Sequence, residues 1–399
     1  MNIYHNISIK QVIWISIAAL LCVLVFRFLF VPVKSRVEQD PFFSVRVRLL
    51  HNISGADLSA KKGMILYDGL SGNVVDKKLK AAAGTRLSLF GAGIKLGEKS
   101  FNLSRLRITP VRGGFISING TLYRGEICIV LTDSGLDIIN RVGLEDYLKG
   151  VIPREVNCFW PVEMIKAQSI ASRSFAVFEV LRRKNKEYDL TADTFSQVYG
   201  GYSGERWRTT RAVDATKGKV LEYAGKVLPG YFHSCCGGYT EDISNIWGKK
   251  SLPLRGVRCK WCRWSPHFRW QAKIAPSTIA ERLNEKGYQI KNVDDIREGN
   301  RDRSRRLKYV RIKSHNRWLE ISTRDFRSVM GRRVLKSANF CVKKYPSFYF
   351  FSGYGWGHGV GMCQWGAFNL SLRRKKEEQI LQYYYPDANI RDLKDLISR

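Results

Sequence analysis

Three stretches concentrate side chains that could do chemistry. In Val151-Ile152-Pro153-Arg154-Glu155-Val156, one carboxylate follows a proline and precedes the Trp160-Pro161 pair. A carboxyl held at the rim of a groove beside Val156, Phe159 and Trp160 would be desolvated toward the protonated form. That is the form a general acid needs. The same residue types also describe a solvated carboxylate next to Arg154, which would favour the charged form.

The second stretch is His233-Ser234-Cys235-Cys236-Gly237-Gly238, followed by Cys259-Lys260-Trp261-Cys262 and His267. One His and three Cys from two such knuckles would close a tetrahedral zinc site. Four protein ligands leave no open position, so the site would be structural. A disulfide in an oxidising compartment is the alternative. A redox C-x-x-C lacks its usual βαβ context here. The chain holds nine cysteines, and an odd, clustered count points to a local site rather than a complete disulfide framework.

The third is Gly353-Tyr354-Gly355-Trp356-Gly357-His358-Gly359-Val360-Gly361-Met362-Cys363-Gln364-Trp365-Gly366-Ala367. Alternating glycines beside Trp356, His358, Gln364 and Trp365 imply a tight backbone path that presents aromatic faces and polar groups to a flat ligand such as a sugar ring. No Lys-Ser/Thr follows the glycines, which argues against a phosphate loop.

These stretches need elements to hold them. Val45, Val47 and Leu49 alternate with Arg46 and Arg48, the pattern of a half-buried strand. Asn119-Gly120 separates two apolar runs as a hairpin turn would, and Asp133-Ser134-Gly135 separates two more. Residues 43–142 are therefore expected to form a β-rich lobe. A short helix is expected from Leu144 to Val151, ending at Pro153. A longer one is expected from Pro161 to about Arg183, with Met164, Ala167, Ala171, Phe175 and Phe178 on one face. Residues 143–390 would form a mixed α/β domain, with 271–345 a charged peripheral lobe and 391–399 a tail. The class is α+β.

The N-terminus reads differently. Val12 to Phe26 carries no charge, Arg27 interrupts, and Phe28 to Val33 continues the apolar run. Roughly 20 apolar residues cross a bilayer. Residues 1–36 are thus expected to be a cytoplasmic stub and an uncleaved signal anchor, with 37–42 a linker. The formal net charge of +32 favours a polyanionic partner. Nucleic acid would account for the charge but not for the anchor, so none is expected.

Taken together, the stretches resemble the SpoIID/LytB family, the stage II sporulation protein D and amidase enhancer group. The resemblance is carried by LEDYLKGVIPREV, WPVEMIKAQSIASRSFAV, TFSQVYGG, HSCCGGYTEDISNIWG, FRSVMGRRVLKS, GYGWGHGVGMCQWGA and ILQYYYP, in family order across roughly residues 144–386.

The resemblance implies that Glu155 is the catalytic acid/base of a peptidoglycan lytic transglycosylase. It places His358, Gln364, Trp356 and Trp365 at the glycan groove, with Tyr199 as a further polar group. It also implies a structural zinc held by His233, Cys236, Cys259 and Cys262, and Cys363 stands where the family commonly has Ser. The expected partners are peptidoglycan glycan strands, the membrane through the N-terminal helix, and other wall hydrolases, with the catalytic part outside the cytoplasmic membrane. A non-catalytic wall-binding protein that stimulates an amidase is the competing reading. A zinc hydrolase would need an open metal position.

Overall fold

The computed structural model describes residues 43–111 and 113–397. The expected anchor, Val12 to Val33, lies outside the described residues. Among those described, no helix is long and apolar enough to cross a membrane.

The alternating N-terminal pattern forms strand β1 (Ser44–Ile53), with Val45 and Val47 fully buried. It belongs to an 11-stranded sheet. Along its main path β1 pairs antiparallel with Gly135–Gly143, which pairs with Glu126–Thr132, then Arg105–Pro110, Gly55–Asp68 and Val74–Phe90. The expected hairpin is present: Ile116–Ile118 pairs with Thr121–Tyr123 across Asn119 (φ 47°) and Gly120 (φ 80°), both left-handed. Asp133-Ser134 likewise turns the chain between two paired strands.

The strand Gly135–Gly143 runs directly into a helix, Leu144–Glu155. This helix does not stop at Pro153 as the sequence suggested, but passes through it. One tertiary hydrogen bond and the helix's own C-cap bond hold its last turns. Gly200 N–H donates to Gly150 O (3.1 Å), and Val156 N–H caps Ile152 O (3.1 Å).

The long helix, Val162–Arg182, is buried on nearly every side rather than on one apolar face. Its small residues Ala167, Ser169, Ala171, Ser172 and Ser174 permit this. Gly230 approaches so closely that a Cβ there would fall 2.2 Å from Ala171 O. Ser169 and Ser174 return their hydroxyls to Ile165 O and Ile170 O (2.8 and 2.7 Å), so burying them strands no donor.

One continuous core joins the β-rich lobe to the helices, from Val45 through Leu148 and Ile170 to Tyr384 and Leu393. The charged segment has its own core, including Trp270, Ile279, Leu283, Phe326, Met330, Phe340 and Phe351. That core fits between the sheet of Arg269–Ile274, Tyr349–Tyr354 and Phe340–Lys344 and a second sheet, Asp295–Glu298, Tyr309–Ser314 and Arg317–Ser322. The helices Pro276–Asn284 and Thr323–Met330 complete it.

Candidate functional site

Glu155 is the last residue of its helix. Its Oε1 accepts a 2.9 Å hydrogen bond from Val198 N–H. Burial pushes the carboxyl up to about 7, and the Val198 bond opposes that only in part. Val156 supplies the apolar surround at 5% exposure. Phe159 does not, because it stands 80% exposed. Arg154 packs over Gly200, where a Cβ would sit 2.7 Å from its Nε.

Val198 is placed by the turn before it. Asp193 Oδ1 accepts from Phe195 N–H (2.9 Å) and from the Thr191 hydroxyl (2.8 Å). Gln197 turns inward, where its Oε1 accepts from Tyr147 OH (3.1 Å). Phe195 is left pointing out, 77% exposed. Phe159 lies four residues after Glu155, and Phe195 three residues before its hydrogen-bond partner. Two exposed aromatic rings thus sit on the loops that adjoin the carboxylate. The Arg332 guanidinium, from the charged lobe, lies 5.4 Å from the Phe195 ring centroid.

Gln364 reaches the same helix end. Its Nε2 donates to Glu155 O (3.3 Å) and to Gln168 Oε1 (3.4 Å). It is 7% exposed, so it positions the Glu155 backbone rather than facing a ligand. Tyr199 departs further from expectation. It is 6% exposed, donates its hydroxyl to Asn140 Oδ1 (2.9 Å), and lies against Tyr147 at 5.1 Å between ring centroids. A Cβ at Gly150 would meet its ring at 2.6 Å. Its neighbours make Tyr199 a core residue and not a groove residue.

The glycine loop follows the tight path expected. Gly355, Gly357, Gly359 and Gly361 all have positive φ, and a Cβ at Gly361 would fall 2.0 Å from Tyr231 O. His358 sits among Tyr231, Trp247 and His233, with ring centroids 6.2, 5.5 and 5.7 Å away. Its Nδ1 accepts from Val360 N–H (3.0 Å), and burial pushes its pKa down to about 4. The ring is therefore neutral at neutral pH. Trp356 carries the Lys336 ammonium over its face at 5.1 Å and the His267 ring against it at 4.4 Å. Trp365 joins Trp160 and Phe368 in an aromatic cluster.

The cysteines assemble as the sequence suggested, with one change of member. Sγ atoms of Cys236, Cys259, Cys262 and Cys363 all lie within 4.8 Å of one another, and all four residues are fully buried. His233 is not in that group. Its Nδ1 faces Val360 O at 3.2 Å, and its Nε2 is buried with no partner among the described residues. Cys235 is buried outside the group too. None of these cysteines is in a disulfide.

A zinc ion bound at about 2.3 Å by four thiolates separates neighbouring sulfurs by about 3.8 Å. The observed spread, with Cys236 and Cys262 at 3.4 Å, fits that donor set. Burial pushes the Cys236 and Cys363 thiols up, whereas hydrogen bonds from Cys235 first, then Cys236 and Cys259, pull Cys262 down.

Residues 132–223 match the model of the Stage II sporulation protein family, SpoIID, and residues 261–361 match a domain of unknown function, DUF8618. The chain is 34% identical over 306 residues to an uncharacterised protein of Brachyspira hyodysenteriae, covering 75% of this chain and 80% of that one. It is 29% identical over 289 residues to the amidase enhancer of Bacillus subtilis, covering 61% of this chain and 40% of that protein. It is 25% identical over 285 residues to the stage II sporulation protein D of the same organism, covering 68% and 80%. The carboxylate-bearing helix end falls inside the SpoIID match, and the glycine loop as far as Gly361 inside the DUF8618 match. The chain belongs to the SpoIID/LytB family.

Proposed function

We propose that this protein is a peptidoglycan lytic transglycosylase. It cleaves the MurNAc-β-1,4-GlcNAc bond and leaves a 1,6-anhydroMurNAc end. The observation that carries this reading is Glu155, a half-buried carboxyl at a helix end that burial pushes up to about 7, with exposed Phe159 and Phe195 on the adjoining loops. Such a group is part protonated at neutral pH and can serve as acid and then as base.

Protonated Glu155 donates its proton to the glycosidic oxygen as the C1–O bond breaks. The GlcNAc alcohol leaves, and positive charge develops on the MurNAc ring. The Glu155 carboxylate then removes the proton of the MurNAc 6-hydroxyl, and that oxygen bonds to C1. Glu155 ends protonated, no water is consumed, and one carboxyl suffices because the nucleophile belongs to the substrate. This differs from the two-carboxylate plan of hydrolases. Phe159 and Phe195 offer faces for sugar rings.

A wall substrate requires the catalytic part to lie outside the cytoplasmic membrane, held by the apolar segment Val12 to Val33. The name of the B. subtilis relative supports a second reading, a wall-binding protein that stimulates an amidase.

The test is mass spectrometry of peptidoglycan, intact and peptide-stripped, after incubation with the wild type and with Glu155→Gln. Anhydro-muropeptides or anhydro-disaccharides from the wild type alone support the transglycosylase. Binding without cleavage by either protein would replace it with the stimulating-partner reading.

A further inference from the structure

We propose that this chain binds one zinc ion through Cys236, Cys259, Cys262 and Cys363, as a staple that fixes Gln364, with Arg306 of the charged lobe balancing the charge of the site. The fourth ligand differs from the one expected of the family, and with it the site acquires a direct chain connection to the Glu155 helix.

The surroundings are those of sulfur bearing negative charge. Cys236 N–H donates to Cys363 Sγ (3.3 Å), and Gly238 N–H donates to Cys236 Sγ (3.4 Å). The Tyr384 hydroxyl lies 3.2 Å from Cys259 Sγ. Gly366 leaves the room, since a Cβ there would fall 2.9 Å from Cys259 Sγ and closer still to Tyr384 OH. Partners that orient and hydrogen-bond the ligands are the second half of a metal site. Soft thiolates in a closed tetrahedral set select zinc over hard cations. Binding would release the remaining thiol protons.

Zinc with four thiolates carries a net double negative charge, which is costly to bury without a counter-charge. Arg306 supplies one. It is 2% exposed, donates through Nη2 to Cys236 O (2.9 Å) and through Nη1 to Tyr239 O (3.0 Å), and makes no ion pair among the described residues. Its Nε has no partner there either. Glu241 is the carboxylate whose field reaches it, without a direct ion pair, so the guanidinium stays only partly compensated. The tetrathiolate resolves both imbalances together.

The consequence runs along the chain. The ligands come from three segments: the turn after Phe232–His233, the Cys259–Cys262 loop and the end of the glycine loop. Cys363 pairs in parallel with His233 and immediately precedes Gln364, the first residue of the helix Gln364–Leu372. Fixing Cys363 fixes the amide that grips Glu155 O.

The test uses the full-length protein, with metal counted by plasma mass spectrometry. Wild type and His233→Ala should each hold about one zinc per chain, and Cys363→Ser should lose it. Arg306→Met should release zinc to a chelator about tenfold faster. Chelation should raise hydrogen exchange across residues 353–372. Should Cys363→Ser fail to fold, cobalt substitution of the wild type decides, because its thiolate charge-transfer intensity distinguishes four sulfurs from three. Zinc lost in His233→Ala and kept in Cys363→Ser would overturn the ligand set. A wild type without zinc would overturn the site, and unchanged exchange would overturn the staple. None of these readouts requires glycan cleavage, so an inert protein holding one zinc would sink only the transglycosylase reading.

Discussion

The side-chain amide of Gln364 hydrogen-bonds the backbone carbonyl of Glu155 at 3.3 Å, joining two segments 209 positions apart. A helix leaves its last carbonyls without partners, and this bond satisfies one at the residue proposed as the acid/base. Because Gln364 is buried and does not face solvent, replacing it should disturb placement more than ligand contact. We expect Gln364→Ala to lower kcat on soluble glycan roughly tenfold with KM little changed. A rise in KM at constant kcat would instead make Gln364 a ligand-contacting group.

The Glu155 carboxyl sets a pH dependence of definite sign. Its folded value of about 7 lies above the ordinary glutamate value of 4.5. Its contribution to stability is therefore full below about 4.5 and is lost as pH rises through about 7. Cleavage requires the protonated form first, so kcat/KM should fall on the alkaline side with a limb near 7. Glu155→Gln should abolish anhydro products, a loss of at least about 10²-fold. The same variant should be more stable than the wild type at pH 8, by on the order of 2 kcal/mol, and the advantage should vanish at pH 4. Paired thermal melts at the two pH values check this. An advantage at acid pH only would contradict the raised value.

Phe195 is exposed because the Asp193 turn and the inward Gln197 leave its ring no place in the core. We expect Phe195→Ala to fold normally and to raise KM for glycan fragments roughly fivefold, about 1 kcal/mol of lost ring contact. Calorimetric titration of a non-cleaved chitooligosaccharide into Glu155→Gln, with and without Phe195→Ala, measures this directly.

Local signals in the sequence were informative where local physics governs. The Asn119-Gly120 pair gives the hairpin because both positions take positive φ, and the Val45/Val47 alternation gives the first strand. Pro153 misleads because a hydrogen bond from Gly200, outside the helix, helps hold its last turns. His233 stands three residues before Cys236, yet the four-sulfur group does not include its ring. Cys363 lies 101 positions beyond Cys262, and only the parallel pairing of Phe232–His233 with Met362–Cys363 brings it in. Tyr199 carries a polar atom in a motif, and nothing local says that Asn140 takes it. Arg306 sits in the charged segment 271–345, expected to be peripheral, yet it is buried. Phe159 and Phe195 were visible as residues in the motifs, but their exposure depends on turns set by side chains elsewhere.

Arg173 and Glu145 form the buried pair that ties the Glu155 helix to the central one. The guanidinium is fully buried and grips the carboxylate at two points, Nε to Oε1 at 2.8 Å and Nη2 to Oε2 at 2.7 Å. Its remaining donors go to Lys219 O (3.0 Å) and Val213 O (3.3 Å), and Glu145 Oε1 also accepts from Gly218 N–H (3.3 Å). Removing one partner strands the other charge inside, which costs about 3–5 kcal/mol, whereas replacing both with apolar groups is often neutral. We therefore expect Arg173→Met to lower stability by on the order of 3–5 kcal/mol in urea unfolding, and Arg173→Met with Glu145→Leu to recover most of it. The single variant should also lose glycan cleavage below its melting temperature, because the helix that ends at Glu155 is no longer anchored. Full activity in a destabilised Arg173→Met would show that the Val198 and Gln364 contacts hold the carboxylate on their own.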